Sequence, residues 1–229
     1  MKQLLIELDS APEASFGNLI IGDNAAAIAA ARALKPGETL YVWGQNGCGR
    51  SHLLQAYARE QNGAYLHSVR DADTLHQLAE EESVPHALAI DDIHLAQPAV
   101  LNTVFRLYNL WRERGTGPQA FSLVVSGLVA PLQMECREDL RTRLGWGAVY
   151  RLLPLSDTDK RTALKSYADA RHVPIKEEIL NWLLTHGSRD IRVLFDCISA
   201  LDEYSLITHR PVTLPLLKTM LAERNINNS

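Results

Sequence analysis

The sequence has 229 residues, 46% hydrophobic and 22% charged, with a formal net charge of −4 at pH 7. These values are ordinary for a globular protein, and no apolar run is long enough to span a bilayer. The negative balance gives the chain as a whole no electrostatic footprint for DNA. The first ten residues lack the composition of a secretory signal, so we expect a cytoplasmic protein. Three scattered cysteines indicate neither a disulfide framework nor a zinc site.

The apolar pattern predicts helices that alternate with short strands over the first two thirds of the chain. An alanine-rich helix over 22–34, with Asp23 or Asn24 as its N-cap, precedes a buried strand over 39–43. This strand leads through a glycine loop into a helix over 51–61. The remaining predicted strands are 64–69, 86–90 and 121–126, and the remaining predicted helices are 72–82 and 101–114. Strands of this length between helices indicate a parallel α/β sheet covered on both faces.

Only helices are predicted after Leu155. Their ranges are 157–171, 176–185, 189–207 and 214–224, with breaks at Pro174, Gly187 and Pro211. We therefore predict a tail over 1–12, an α/β domain over 13–153 and a small all-α domain over 154–229.

The stretch GQNGCGRS, from Gly44 to Ser51, has the spacing of a phosphate-binding loop between a strand and a helix. Glycines let backbone N–H groups turn towards phosphate oxygens, the helix presents its positive end, and the basic side chain neutralises charge. The alternative is a flexible glycine turn. The predicted nucleotide contacts are Gly44, Gly47, Cys48, Gly49, Arg50, Ser51 and His52.

The apolar strand 86–90 ends in Asp91-Asp92, where a nucleotide hydrolase needs a carboxylate for magnesium. We expect Asp91 and the Ser51 hydroxyl to hold Mg²⁺, and Asp92 to lie where a general base orients the attacking water. By itself the aspartate pair would indicate only a turn at a strand end. Arg50 stands where hydrolases keep lysine, and its planar guanidinium should position a terminal phosphate less well, so we expect binding to survive better than turnover.

Five segments, in order, resemble the DnaA group of AAA+ proteins. Residues 16–24, FGNLIIGDN, resemble the segment that precedes the core in that group, and 51–54, SHLL, resemble the continuation of its phosphate loop. Residues 89–93, AIDDI, are similar to its Walker B strand, 139–147, DLRTRLGWG, to its box VII, and 189–194, RDIRVL, to its sensor 2 segment. The resemblance implies an AAA+ P-loop NTPase core with a parallel sheet, followed by a small all-α helical lid.

The resemblance also assigns roles to single residues. Arg143 matches the arginine finger that acts on the nucleotide of a neighbouring subunit, and Arg141 is the competing candidate. Arg192 matches the sensor 2 arginine, which reaches the bound phosphates, and Ser126 matches the sensor 1 position. Without the resemblance, Arg192 would be a surface ion pair and the arginines of 137–151 a solvated helix face.

The arginine in the phosphate loop resembles the regulatory inactivators within this group more than its initiators, which continue into a DNA-binding helix-turn-helix domain. The resemblance implies weak or absent ATPase activity, bound ADP (or ATP) with Mg²⁺, association with the DNA polymerase III sliding clamp, and stimulated hydrolysis of ATP held by DnaA. Residues 3–8, QLLIEL, are similar to a clamp-binding hexapeptide, with a first β-strand or a tail as the alternative. Its expected contacts are Gln3, Leu4, Ile6 and Leu8.

Two rival interpretations stay open. One is a motor-like ATPase or helicase loader that uses its own ATP hydrolysis, for which Arg50 must support turnover. The other is a DNA-binding relative of the initiators, against which the acidic balance argues. Assembly with further copies of the chain is also left open.

Overall fold

The structure, a computed structural model, describes residues 13–188 and 190–227. Its contacts divide the chain into one unit over Ala14–Pro154 and another from Leu155 onward. Each unit has its own hydrophobic core. Among the described residues, no helix is both long and apolar enough to cross a membrane.

The first unit is built on a five-stranded sheet in the order β2-β3-β4-β1-β5, with every neighbouring pair parallel. Because the strands are parallel, their carboxyl ends meet at one edge of the sheet. In sequence order the strands are β1 (Thr39–Trp43), β2 (Ala64–His67), β3 (Ala87–Asp91), β4 (Ser122–Gly127) and β5 (Ala148–Arg151).

Helices cover both faces of this sheet, which is why its central strands are apolar runs and not alternating patterns. Successive β3 residues face opposite sides, so Leu88 and Ile90 pack in one core cluster while Ala87 and Ala89 pack in the other. The helices of this unit are α1 (Ala25–Ala33), α2 (Arg50–Glu60), α3 (Ala72–Glu80), α4 (Pro98–Arg114) and α5 (Glu138–Leu144).

The second unit is helical in its described part. Its first helix begins with a capping box, in which the Asp159 N–H donates to Ser156 Oγ at 3.1 Å and the Ser156 N–H donates to the Asp159 carboxylate. Its core contains Leu164, Ile179, Leu194, Ile198 and Leu217. The helices are α6 (Asp157–Ala170), α7 (Glu177–His186), α8 (Ile191–Thr208) and α9 (Leu214–Asn227).

The predicted fold class, a parallel sheet with helices followed by helices alone, is confirmed. Two elements, α5 and β5, were not predicted as a helix and a strand. β5 is a short edge strand whose residues are mostly exposed, so it carries no apolar run. Asn24 lies at the N-cap of α1 but makes no capping bond with its side chain, which instead bonds the backbone of Leu153.

Candidate nucleotide site

The loop between β1 and α2 has the backbone that a phosphate-binding loop needs. Gly49, the N-cap of α2, adopts the left-handed conformation with φ 97°, and a Cβ built there would meet nothing within 4 Å. A Cβ at Gly44 would lie 2.4 Å from the Leu152 carbonyl oxygen, so only glycine lets the loop approach the end of β5 this closely. The loop therefore leaves open space beside the N-terminus of α2, where anions are favoured.

The Arg50 side chain is only 6% exposed and is held by oxygen atoms of the protein. Its Nη1 donates to the Gly44 carbonyl oxygen, and its Nη2 donates to Asn46 Oδ1 at 3.3 Å and to Asp92 Oδ1 at 2.8 Å. Its Nε is buried without a partner in the described part of the chain. The guanidinium thus joins both ends of the loop to the residue that follows β3.

Asp91, the last residue of β3, is fully buried and hydrogen-bonded through both carboxylate oxygens. Its Oδ1 accepts from the Ser126 hydroxyl and from the Asp92 N–H at 3.1 Å, and its Oδ2 accepts from the Tyr65 hydroxyl at 2.7 Å. Burial, reinforced by this bond, raises the pKa of Tyr65 to about 12, so the phenol remains a donor. Ser126 therefore orders the end of β3 from the neighbouring strand β4.

Asp92 has a left-handed backbone, with φ 53°, and its carboxylate lies beside the Arg50 guanidinium and two imidazoles. Besides Arg50, His67 Nε2 and His94 Nδ1 each lie 3.8 Å from one of its oxygens. The backbone N–H groups of Val69 and Arg70 donate to His67 Nδ1, so a neutral ring carries its proton on Nε2, which faces Asp92. Burial lowers the pKa of His94, an effect that the Asp92 charge opposes.

Two of the predicted loop contacts have their side chains engaged elsewhere. Cys48 is buried in the core cluster with Leu53, and burial raises the pKa of its thiol, an effect that the neighbouring Arg50 guanidinium opposes. His52 Nε2 lies 3.0 Å from Asn18 Oδ1 and 3.2 Å from the Ser15 carbonyl oxygen, so its ring contacts the segment before α1. Ser51 follows Arg50 in the first turn of α2 and is half-buried.

The loop residues fit a phosphate group. The open space at Gly49 and the unpartnered Nε of Arg50 are what a bound anion would fill and satisfy. The same residues suit Mg²⁺ less well, because both carboxylate oxygens of Asp91 already accept hydrogen bonds from protein donors. No group of three or more His, Cys, Asp or Glu side chains suited to a metal occurs within 13–188 and 190–227.

Arg143 lies in the last turn of α5 and rests on α4. Its guanidinium stacks 3.6 Å from the Phe105 ring centroid and donates to the Phe105 carbonyl oxygen at 3.2 Å and to Asn109 Oδ1. Desolvation lowers its pKa from the ordinary arginine value. Arg141 instead donates to the Cys136 carbonyl oxygen at 2.9 Å and keeps a buried Nε without a described partner.

The remaining predicted residues belong to other parts of the chain. In the helical unit, the Asp190 side chain caps α8 through the Arg192 N–H, and the two side chains form an ion pair at 2.8 Å. The predicted contact of Arg192 with nucleotide stays a prediction. The hexapeptide residues Gln3, Leu4, Ile6 and Leu8 lie outside the described residues.

The structure adds partners that the sequence reasoning missed, namely Asn46, Tyr65, His67 and His94. His94 lies two residues after the aspartate pair and could have been suspected for that reason. Tyr65 and His67 are two residues apart on β2, so they share one face of a strand that neighbours β3. The strand order was needed to bring that face to the aspartates.

Comparison with known proteins supports the same architecture. Residues 157–221 match the family model described as "Hda, lid domain". Domain III of the replication initiation protein DnaA from Thermotoga maritima aligns with 22% identity and a TM-score of 0.74, covering 93% of this chain and 97% of that chain. AMPPCP-bound DnaA from Aquifex aeolicus aligns with 16% identity and a TM-score of 0.64, covering 82% of this chain and 65% of that chain.

A third solved structure, the RuvB Holliday junction branch migration motor of Thermotoga maritima, aligns with 17% identity and a TM-score of 0.63, covering 91% of this chain and 71% of that chain. Structural similarity at sequence identities this low establishes the fold alone. The predicted fold, a parallel-sheet α/β core followed by a small helical domain, is therefore confirmed. The chain thus has the fold of DnaA domain III, and its helical unit matches the Hda lid domain over residues 157–221.

Proposed function

We propose that this chain is a nucleotide-bound negative regulator of replication initiation, which stimulates hydrolysis of the ATP held by DnaA. The observation that carries the proposal is the match of residues 157–221 to the Hda lid domain, on a chain that has the DnaA domain III fold. The box VII arginine Arg143 supplies the catalytic group, acting in trans. ADP, with Mg²⁺, is the proposed resident ligand.

The phosphate loop supports holding a nucleotide more than hydrolysing one. Gly47, Gly49 and the N-terminus of α2 offer backbone N–H groups to phosphates, and Arg50 offers positive charge. Ser51 and Asp91 would hold Mg²⁺, with Asp91 acting through water since its oxygens already accept from protein donors. Bound Mg²⁺ would neutralise phosphate charge. The guanidinium of Arg50 is already engaged by protein oxygens, which disfavours the phosphate positioning that turnover needs.

Arg143 can act on a partner's ATP by electrostatics. A guanidinium beside the terminal phosphate stabilises the charge that develops on its oxygens during transfer. To reach a partner, Arg143 must leave the Phe105 ring, whose cation–π contact contributes about 1 kcal/mol, and must exchange its hydrogen bonds to the Phe105 carbonyl oxygen and Asn109 Oδ1 for bonds to phosphate oxygens. Because hydrogen bonds between two charged groups are the stronger ones, this exchange is compatible with the thousandfold or larger effect typical of arginine fingers.

The test is the rate of ATP hydrolysis by DnaA in the presence of clamp-loaded DNA and this protein. We expect Arg143→Ala to lower the stimulation about a thousandfold and Arg143→Lys to restore little of it, because lysine cannot present a planar fork. Arg137→Ala, a change in an exposed ion pair of the same segment, is the matched control and should retain stimulation. Full stimulation by Arg143→Ala, with Arg141→Ala inactive, would transfer the role to Arg141.

Association with the sliding clamp is the second part of the proposal. It rests on the resemblance of residues 3–8 to a clamp-binding hexapeptide, in which Gln3 is the polar contact and Leu4, Ile6 and Leu8 are the apolar ones. Deleting residues 3–8 should abolish retention on immobilised clamp and leave ADP affinity unchanged. Unchanged retention would remove this part and leave the role of Arg143 intact.

The nucleotide itself is tested on the protein alone. We expect tight ADP binding by calorimetry and ATP turnover near the detection limit. Turnover at the rate of a motor ATPase, slowed by Arg50→Ala, would favour the rival interpretation of a motor or loader. Salt-dependent binding to duplex DNA would favour the initiator-like one.

A further inference from the structure

Asp92 follows the Walker B strand at the position where a hydrolase keeps its general base, yet its surroundings suit a different task. The carboxylate accepts from Arg50 Nη2 at 2.8 Å, and the two side chains are only 19% and 6% exposed. A guanidinium buried to this degree is strongly destabilising unless an anion and further acceptors compensate it. Of the described side chains, Asp92 is the carboxylate that pairs with Arg50, and the other acceptors, Gly44 and Asn46, are neutral.

The backbone fixes Asp92 in this role. Its left-handed conformation is unusual for a residue with a side chain, and hydrogen bonds hold both of its backbone polar groups. Its N–H donates to Ser126 Oγ at 2.9 Å, and its carbonyl oxygen accepts from the Ser68 hydroxyl at 2.7 Å. A base that activates water needs an oxygen free for the water and a side chain that can move. In Asp92 the backbone is fixed and Oδ1 is held by Arg50, whereas Oδ2 lies 3.8 Å from His67 Nε2.

The other end of the pair leads to the phosphate loop. A guanidinium has five N–H groups. Three of them donate to Gly44, Asn46 and Asp92, so the interaction ties both sides of the loop to the end of β3. Two N–H groups remain, and one of them, on the buried Nε, has no partner in the described part of the chain. Asp92 thus determines which N–H groups of Arg50 are left for a ligand.

We propose that Asp92 is a positioning residue, which holds the Arg50 guanidinium in the phosphate loop, and that it is not a general base. The pair fixes the shape of the loop around a bound nucleoside diphosphate. Turnover is disfavoured because one oxygen of the Asp92 carboxylate is committed to Arg50 and the backbone that carries this side chain is fixed. This inference rests on the proposed nucleotide binding, but the ion pair can also be tested without nucleotide.

The experiment is a double-mutant cycle with Arg50→Ala, Asp92→Ala and the double variant. The first readout is the affinity and dissociation rate of a fluorescent ADP analogue. We expect Asp92→Ala to weaken binding on the order of tenfold, because it leaves the buried guanidinium unpaired. The double variant should bind no worse than the weaker single variant. Asp92→Asn keeps an acceptor for Arg50 and should fall between wild type and Asp92→Ala.

The matched control is the same cycle on the exposed ion pair between Arg137 and Asp139, whose atoms are 2.7 Å apart, against 2.8 Å for Arg50 and Asp92, but whose side chains are 67% and 38% exposed. We expect no measurable coupling there. Wild-type ADP affinity in Asp92→Ala, or strictly additive effects of the two single variants, would overturn the inference. Unchanged affinity together with a complete loss of residual ATP turnover would identify Asp92 as a base after all.

A second readout separates this inference from the proposed function. If the wild-type protein binds no ADP, the nucleotide part of the proposed function fails. Urea unfolding of the same four proteins without nucleotide then tests whether Arg50 and Asp92 stabilise each other. Asp92→Ala should lower the unfolding midpoint, and adding Arg50→Ala should recover part of the loss. Additive losses in urea would overturn the role of Asp92 irrespective of nucleotide.

Discussion

Replacement of Asn24 should destabilise the α/β unit by an amount that follows from two hydrogen bonds. The side chain is 7% exposed, its Nδ2 donates to the Leu153 carbonyl oxygen at 2.9 Å, and the Leu153 N–H donates to its Oδ1 at 2.7 Å. Asn24→Ala leaves two backbone groups without partners, at about 1–3 kcal/mol each when they are buried. Leu153 is 36% exposed, so water replaces part of the loss, and we expect about 2–3 kcal/mol in total.

The assay is urea unfolding followed by tryptophan fluorescence at pH 7. Asn24→Asp keeps the acceptor but sets a carboxylate against the Leu153 carbonyl oxygen, so it should be nearly as unstable. It should recover as the pH falls, because a protonated carboxyl can donate again. Asp23→Ala, an exposed neighbour, is the control and should stay within about 0.5 kcal/mol of wild type. If Asn24→Ala unfolds at the same urea concentration as Asp23→Ala, the two hydrogen bonds contribute nothing to stability and Asn24 has no structural role of this kind.

Three further outcomes are expected. Gly147→Ala places a Cβ 1.9 Å from the Thr39 carbonyl oxygen and should cost about 1–3 kcal/mol in urea unfolding, whereas Gly145→Ala makes only an ordinary contact at 3.5 Å and should be near neutral; equal losses would contradict this. His94 has a lowered pKa in the folded protein, so the unfolded chain binds its proton first and stability falls as the pH drops below about 6.5; His94→Gln should flatten that fall in urea midpoints between pH 7 and 5. Cys48 is 5% exposed and burial raises the pKa of its thiol, so with the other two cysteines replaced by serine it should react with Ellman's reagent far more slowly than in urea, and rapid native labelling would contradict its placement in the core.

The sequence was most informative where burial is complete. The strand 39–43 was predicted with its exact bounds, and the strand ending at Asp91 within one residue, because central parallel strands must be apolar on both faces. Edge strand β5 and the short helix α5 are mostly or partly exposed, so no apolar periodicity marks them. The Arg-Leu-Gly-Trp-Gly run carries a motif, but nothing in its pattern predicts the helix that ends at Leu144 or the strand that begins at Ala148.

The partners within the site could not be predicted, because they depend on the order of the strands. β1 and β3 are not neighbours in the sheet, since β4 lies between them. The sequence places Arg50 after one strand and Asp92 after the other, with nothing to indicate that the loop reaches across β4. Asn24 is the N-cap of α1 by position, but the partner of its side chain, Leu153, lies 129 residues away, and the sequence alone indicates only a local capping bond.

The two arginines in the proposed function differ in what they would give up to contact a phosphate. Arg143 is held by an aromatic ring, a backbone carbonyl oxygen and an amide oxygen, which are all neutral. Exchanging them for an anion gains charge neutralisation and leaves no buried charge behind. Arg50 already neutralises Asp92, so a complete transfer of its guanidinium to a phosphate would leave a half-buried carboxylate unpaired. We therefore expect the ion pair between Arg50 and Asp92 to persist when a ligand binds or dissociates, and Arg143 to be the arginine that exchanges its contacts for a phosphate.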